Sequence, residues 1–354
     1  MQIDGRFIGP DHPPYIVAEV GANHGGGLDN ALKLIKQAKQ AGADAVKFQA
    51  YTEDTITIAS SRPEFRITEG LWKGRTLYDL YKDCKTPFHW FELIASRARD
   101  ADITWFASVF DKSAVDMLMK LDVPAFKIAS FELVDLPLIE YVAQTGKPMI
   151  LSTGMASVAE IDEAVDTAWA GINHGLALLH CVSGYPTPHE EANLLGIHQL
   201  QEQWPDVPVG ISDHTADLAV PIAATALGAM IIEKHFKPQW FRGPDTKFSM
   251  APVQFRQMVD AVHAAWAAMQ TAHADSEEPQ KALRRSLYIV KEMAAGECYT
   301  EANVRSIRPA AGLPPKELAN VLGRTAACDI AAGTPLTWDL VAPAQPCPPP
   351  PAAP

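Results

Sequence analysis

The sequence predicts an α/β chain, a (β/α)8 (TIM) barrel followed by a small β-rich domain, and three observations carry that expectation. Short β-rich runs alternate with amphipathic stretches eight times, the pattern of a parallel sheet built from βα units. The 354 residues exceed one ordinary domain but suit a barrel of about 250 residues with an appendage. The glycine-rich dinucleotide turn that would mark an open, doubly wound sheet is missing.

The elements follow in order. The first strand reads Tyr15–Val20, and Ala31, Leu34, Ile35 and Ala38 then recur at helical spacing. Further strands are expected at Ala43–Gln49, Ile103–Ser108, Ala125–Ile128, Pro148–Ser152, Leu176–His180, Val209–Ser212 and Met230–Glu233. Helices are expected at Ser157–Trp169, Ala219–Leu227 and Val253–Met269. The polar run HADSEEPQ breaks the pattern. The expected division is a catalytic barrel over 1–272, a linker over 273–283, a small domain over 284–343 and a disordered proline-rich tail over 344–354. The small domain contains a repeat: Glu292-Met293-Ala294-Ala295-Gly296 with Thr300 and Val304 recurs as Asp329-Ile330-Ala331-Ala332-Gly333 with Thr337 and Val341. Two copies suggest pseudo-symmetry.

Composition narrows the function. A hydrophobic fraction of 47% with 20% charged residues is ordinary for a globular protein with a real core. The net charge of −12 argues against nucleic acid or an anionic membrane as partner. Any phosphate must then be held by local cations and amides. Five scattered cysteines read as free thiols, and the start has neither signal-peptide character nor a spanning segment. A cytoplasmic protein is expected.

In such barrels the chemistry sits at the C-terminal strand ends. Here those ends carry Glu19 with Asn23 beyond, Lys47 and Gln49, Ser108, then Lys127, Ser130 and Glu132. Ser152 ends the fifth strand, His180, Ser183 and Tyr185 follow the sixth, and Ser212, His214, Glu233 and His235 end the last two. A lone histidine or lysine there has a bland explanation. Together they do not, because side chains alternate faces: Lys47 shares one with Gln49, and Glu233 shares one with His235. Burying so many polar groups serves no structural end that offsets their desolvation. His214 and His235 follow adjacent strands and could converge on one ion. Two imidazoles without a third protein ligand suit an open Mn²⁺ site, with Mg²⁺ or Co²⁺ as alternatives, better than structural zinc. Lys47, Lys127 and the hydroxyls of Ser108, Ser152, Ser183 and Ser212 form a candidate anion cradle.

The motifs AEVGANHGG, VKFQ, KIAS then FE, LSTGM, HCVSGYPT, ISDHT, and EKHF then GPD, in this order, closely resemble the sialic acid synthase family. RSL, the repeat and SIRPAAGL resemble that family's antifreeze-like (SAF) domain. Within the family, the pattern of LWKGRTLYDLYKDCKTPFHW and Thr246-Lys247-Phe248-Ser249 is similar to the pseudaminic acid synthases. Gly21 and Val109 depart from the usual residues there, and a sialic or legionaminic acid synthase is the alternative. The resemblance implies condensation of phosphoenolpyruvate with an open-chain acetamido sugar. Glu19, Lys47, Lys127, Glu132 and Glu233 would be catalytic. Asn23, Gln49, Ser108, Ser130, Ser152, Ser183, Tyr185, Ser212 and Asp245 would bind substrate, and His214 and His235 the metal. It further implies a domain-swapped homodimer in which Arg308 of the small domain reaches the partner's sugar. A phosphorylated sugar would need a second basic cluster, and none is visible. A catalytically dead, carbohydrate-binding barrel would be expected to have lost some of these residues.

Overall fold

Eight parallel strands close on themselves in the first of two units. The computed structural model describes residues 1–171, 175–239, 243–270 and 278–343. The chain divides into Met1–Gln270 and Thr271–Pro354. We number the barrel strands β1 (Tyr15–Glu19), β2 (Ala45–Ala50), β3 (Thr104–Val109), β4 (Phe126–Ile128), β5 (Met149–Ser152), β6 (Leu176–Cys181), β7 (Val209–Asp213) and β8 (Ile231–His235). β8 pairs with β1 and closes the ring. The helices are α1 (Leu28–Gln40), α2 (Phe91–Asp100), α3 (Lys112–Lys120), α4 (Leu136–Ala143), α5 (Val158–Trp169), α6 (Leu195–Gln203), α7 (Ala219–Ala226) and α8 (Pro252–Met269).

The strands read as nearly unbroken apolar runs because both faces are buried, one in the barrel and one under helices. Each helix lays one stripe on that outer face. In α1 the stripe is Ala31, Leu34, Ile35 and Ala38, all fully buried. Three of the helix starts are fixed at the mouth side by side-chain caps. Asp111 accepts from Ser113 and Ala114 N–H, Asp135 accepts from Leu138 N–H, and Ser157 with Glu160 forms a capping box. The loops after β3, β4 and β5 therefore leave rigid strands and enter anchored helices, whereas α1, α2, α6, α7 and α8 start without a side-chain cap.

The second unit pairs β9 (Ser286–Ile289) with β10 (Val304–Ile307) antiparallel. The sequence repeat becomes a physical near-symmetry. Met293 and Ile330 exchange two backbone hydrogen bonds, of 2.9 and 2.8 Å. Val304 and Val341 enter the same small core, and Gly296 and Gly333 both turn through positive φ, 81° and 88°. Part of the expected linker and all of the tail lie outside the described residues, but Glu278–Lys281 is a short helix. Cys84, Cys181 and Cys328 are free, whereas Cys298 is disulfide-bonded, which corrects the expectation of free thiols throughout. Among the described residues no helix is long and apolar enough to cross a membrane.

Candidate active site

Strand register brings the polar strand ends to one mouth. Glu19 lies beside Lys47 and beside His235, Gln49 beside Ser108, Ser108 beside Lys127, and Glu233 beside Ser212. On the β8–β1–β2 side, Lys47 Nζ stands 2.8 Å from Glu19 Oε2 and 3.4 Å from Glu233 Oε1, and donates to Ser108 Oγ at 2.9 Å. Gln49 donates to Glu19 Oε1 and Ser212 to Glu233 Oε1, at 2.8 and 3.0 Å. Burial pushes both carboxyls up, and Lys47 pulls against it at each. At Glu233 Lys127 adds to that pull, so this carboxyl ends below its ordinary value while Glu19 ends above. Burial opposes the charge on Lys47 too, but its two carboxylates outweigh it and raise its pKa.

The β4–β5–β6 side differs. Lys127, 1% exposed, donates to Ser152 Oγ at 2.6 Å and to Ile128 O at 2.7 Å. Among the described residues it makes no ion pair, and burial lowers it to about 8. Ser130 Oγ accepts from Gly154 N–H at 3.1 Å. A Cβ at Gly154 would meet Ser130 Oγ and Ser183 Oγ, each at 2.8 Å, so glycine is what lets these two hydroxyls flank one backbone amide. Glu132 follows at the rim. Burial raises it to about 7, with Lys127 opposing, and its Oε2 has no partner.

The histidines complete the ring, with centroids 5.4 Å apart. His214 Nδ1 lies 3.0 Å from Val182 O, so it carries the proton and leaves Nε2 for a ligand. His235 Nδ1 is buried without a hydrogen-bond partner, and burial together with His214 holds this ring well below its ordinary pKa and thus neutral. Asp245 Oδ2 stands 3.8 Å from His235 Nδ1 and accepts from Ala22 N–H at 2.8 Å. Burial raises Asp245 to about 6. His235 is neutral, and His214, which burial lowers but Cys181 raises above its ordinary value, offers Nε2 once its second proton leaves, so the pair fits a divalent ion. Among the described residues no third His, Cys, Asp or Glu completes a cluster, so such a site would be open.

Some expected residues have other duties. Asn23 spends its amide N–H groups on Phe236 O and Ser249 Oγ, at 3.0 and 2.8 Å, tying the β1 turn to the loop after β8. Arg308 belongs to the second unit and is exposed there, just past β10. His180 is bonded to Ala192 O at 2.9 Å, away from the mouth, and Cys181 takes the inward position instead. Cys181 Sγ lies 3.9 Å from His214 Nδ1 and 3.8 Å from Ser183 Oγ. Burial would raise this thiol, but His214 and hydrogen bonding bring it down to about 7. Ending β6 one residue later would have revealed it. The aromatic wall was also missed as a site feature. Tyr185 packs on His214, Phe248 and Trp72 at centroid distances of 4.5, 5.2 and 5.8 Å. A larger cavity, about 660 Å³, lies between α5 and α6, but no lysine or arginine lines it and it is not suited to phosphate.

A closed parallel barrel with its buried lysines, carboxylates and histidines at the C-terminal strand ends has the architecture of a barrel enzyme. The chain matches the NeuB family over residues 34–274 and the SAF domain over residues 284–342. This chain belongs to the NeuB family. It is 42% identical to the pseudaminic acid synthase of Campylobacter jejuni, covering 94% of this chain and 97% of that one. It is 32% identical to the N,N'-diacetyllegionaminic acid synthase of Legionella pneumophila, covering 92% and 94%. The N-acetylneuraminic acid synthetase structure from Leptospira borgpetersenii, a complex with citrate, superposes with a TM-score of 0.71 at 32% identity, covering 79% of this chain and 94% of that one.

Proposed function

We propose that the chain is a pseudaminic acid synthase, a transferase that joins phosphoenolpyruvate, 2,4-diacetamido-2,4,6-trideoxy-altrose and water to give pseudaminic acid and phosphate. The observation that carries this reading is 42% identity to the Campylobacter synthase over nearly the whole chain, against 32% to a legionaminic acid synthase.

In this reading Lys127, Ser152, Ser130, Ser183 and the Gly154 amide bind the phosphate and carboxylate of phosphoenolpyruvate. His214 and His235 hold the divalent ion, Mn²⁺ first, with Mg²⁺ or Co²⁺ as alternatives. When bound, the ion supplies Lewis acidity at the sugar aldehyde. Lys47 keeps Glu19 and Glu233 at a fixed spacing on the sugar side. Glu19, whose pKa burial raises against the pull of Lys47, is the carboxylate placed to carry a proton to the aldehyde oxygen. Glu132 titrates near about 7 and can take a proton from the water that adds at C2 of the enol phosphate. Tyr185, Gln49 and Asp245 contact the sugar. Held in attack geometry, the two substrates gain ~7–11 kcal/mol of barrier lowering from positioning, more than a single acid or base contributes. The small domain caps the barrel of a second copy in a domain-swapped dimer, where Arg308 supplies a multi-donor contact to the sugar.

Phosphate release tests the reading, using phosphoenolpyruvate, Mn²⁺ and a panel of acetamido sugars. The expected result is a higher kcat/KM for the 6-deoxy-diacetamido altrose than for N-acetylmannosamine, by about 10–200-fold for one methyl-against-hydroxymethyl contact. Excess chelator abolishes turnover and Mn²⁺ restores it. A preference for N-acetylmannosamine overturns the choice of sugar, and full turnover in chelator removes the metal.

A further inference from the structure

Each metal histidine follows a residue that points the other way. Glu233 and His235 line the mouth, so Lys234 between them projects from the outer face of β8, and Asp213 precedes His214 on β7. Lys234 is fully buried. Its ammonium reaches Asp213 Oδ2, the Thr215 carbonyl at 2.5 Å, and Thr215 Oγ1 at 3.3 Å. Asp213 in turn accepts from Thr215 N–H at 2.9 Å and from Thr215 Oγ1 at 3.1 Å. Every strong polar group of this knot is thus spent on the residues either side of His214.

The rest of His214 is held from the opposite direction. Its ring proton goes to Val182 O, and its carbonyl accepts from Thr187 N–H at 3.1 Å. Thr187 Oγ1 donates to Val182 O and Gly184 O, which fixes that loop. Without Lys234, Thr215 and the Asp213 carboxylate would lose the side chain that ties them to β8, the strand bearing His235, and the turn would be left with the β7–β8 ladder that ends at Asp213.

We propose that Lys234, with Asp213 and Thr215, is a positioning cluster that sets the spacing and aim of His214 relative to His235 and so tunes the affinity for the divalent ion. A buried ion pair is weak support for stability, because desolvation offsets much of the attraction. Placed behind a ligand pair, it gives geometric definition instead. The proposal rests on the reading that these two histidines hold the ion.

The test is Mn²⁺ titration of the metal-free full chain, with free Mn²⁺ read by electron paramagnetic resonance. The Co²⁺-loaded visible spectrum gives a second readout of geometry. The doubly neutral variant Lys234→Met/Asp213→Asn avoids leaving one buried charge unpaired. It is expected to weaken Mn²⁺ binding about 10–100-fold and to shift the Co²⁺ bands, while phosphoenolpyruvate binding to the metal-free protein changes less than about twofold. Thr215→Val keeps the ion pair and loses only the hydroxyl, so a few-fold loss is expected, and it serves if the double variant does not fold. Unchanged Mn²⁺ affinity and Co²⁺ spectrum in a folded variant overturn the proposal. His214→Ala and His235→Ala provide the control. If they bind Mn²⁺ like the wild type, the two-histidine reading falls, and this proposal falls with it.

Discussion

On the β8–β1–β2 side of the mouth Lys47 stands between two carboxylates, whereas on the β4–β5–β6 side Lys127 has only a hydroxyl and a carbonyl. Both lysines are almost fully buried, at 3% and 1% exposure, so burial alone does not separate them. The difference is compensation. Glu19 and Glu233 both pair with Lys47, and the three form a fixed frame. Lys127 is a desolvated cation with no ion pair among the described residues, and burial brings its pKa down to about 8 against the more distant Glu233. An incoming dianion supplies the missing partner. In the proposed function the paired side stays in place and the other side is filled, which is how a chain of net charge −12 would hold a phosphate.

Exchanging each lysine for methionine breaks the comparison most sharply. Lys47→Met strands two buried carboxylates and is expected to cost about 3–5 kcal/mol of stability together with activity. Lys127→Met breaks no ion pair among the described residues and removes only two hydrogen bonds and a longer-range pull on Glu233 and Glu132. It is expected to keep or raise the denaturation midpoint while kcat/KM for phosphoenolpyruvate falls about 10²–10³-fold. Urea unfolding and steady-state kinetics on the two variants decide this. Equal stability losses would show that the two sides are not different in kind.

A smaller effect is expected at Gly21, where the fixed side meets the histidines. This residue has φ of 50°, and a Cβ there would come within 2.4 Å of Asp245 Oδ2 and 3.0 Å of the His235 ring. Gly21→Ala therefore displaces the carboxylate that Ala22 N–H holds against His235. A stability loss of about 1–2 kcal/mol comes from the left-handed backbone. A loss of about 10–100-fold in kcat/KM comes from the misplaced carboxylate. A fully active Gly21→Ala enzyme would mean that Asp245 can move without consequence.

Much of this was legible in the chain because strand ends in a barrel have one functional side, and a two-residue period assigns each side chain to it. Lys47 with Gln49 and Glu233 with His235 were paired by parity alone, and the structure puts all four at the mouth. What parity does not reveal is the neighbour across the strand. That Lys47 is paired and Lys127 is not depends on the register of β1, β2 and β8, which joins residues 28 to 216 positions apart in the sequence. One residue of error at the end of β6 exchanged Cys181 for His180, since a single step reverses the face. Asn23 has a second duty that parity does not show: its amide N–H groups go to Phe236 O and Ser249 Oγ, tying the turn after the first strand to the loop after the last, while its Oδ1 stays without a partner.

The smallest effect sharpens the open side. Glu132 sits at its rim, raised to about 7 by burial against the pull of Lys127. A carboxyl whose folded pKa is raised binds its proton more tightly in the native state. Its protonation therefore supports folding fully below the unfolded value near 4.5, and that support is lost as pH rises through about 7. Glu132→Gln cannot ionise. Relative to wild type it should gain stability as pH rises from about 4.5 to 7 and level off above, with a slope of at most about 1.4 kcal/mol per pH unit. The slope is smaller to the extent that water reaches the carboxyl edge. In a Lys127→Met background the nearby cation is gone, so Glu132 should hold its proton to still higher pH and the levelling-off should move above about 7. Urea titrations of the four proteins across pH 4 to 9 read both effects. A flat difference between wild type and Glu132→Gln would show that water already solvates the carboxylate. A levelling-off that does not move when Lys127 is replaced would show that the unpaired lysine does not act on this rim.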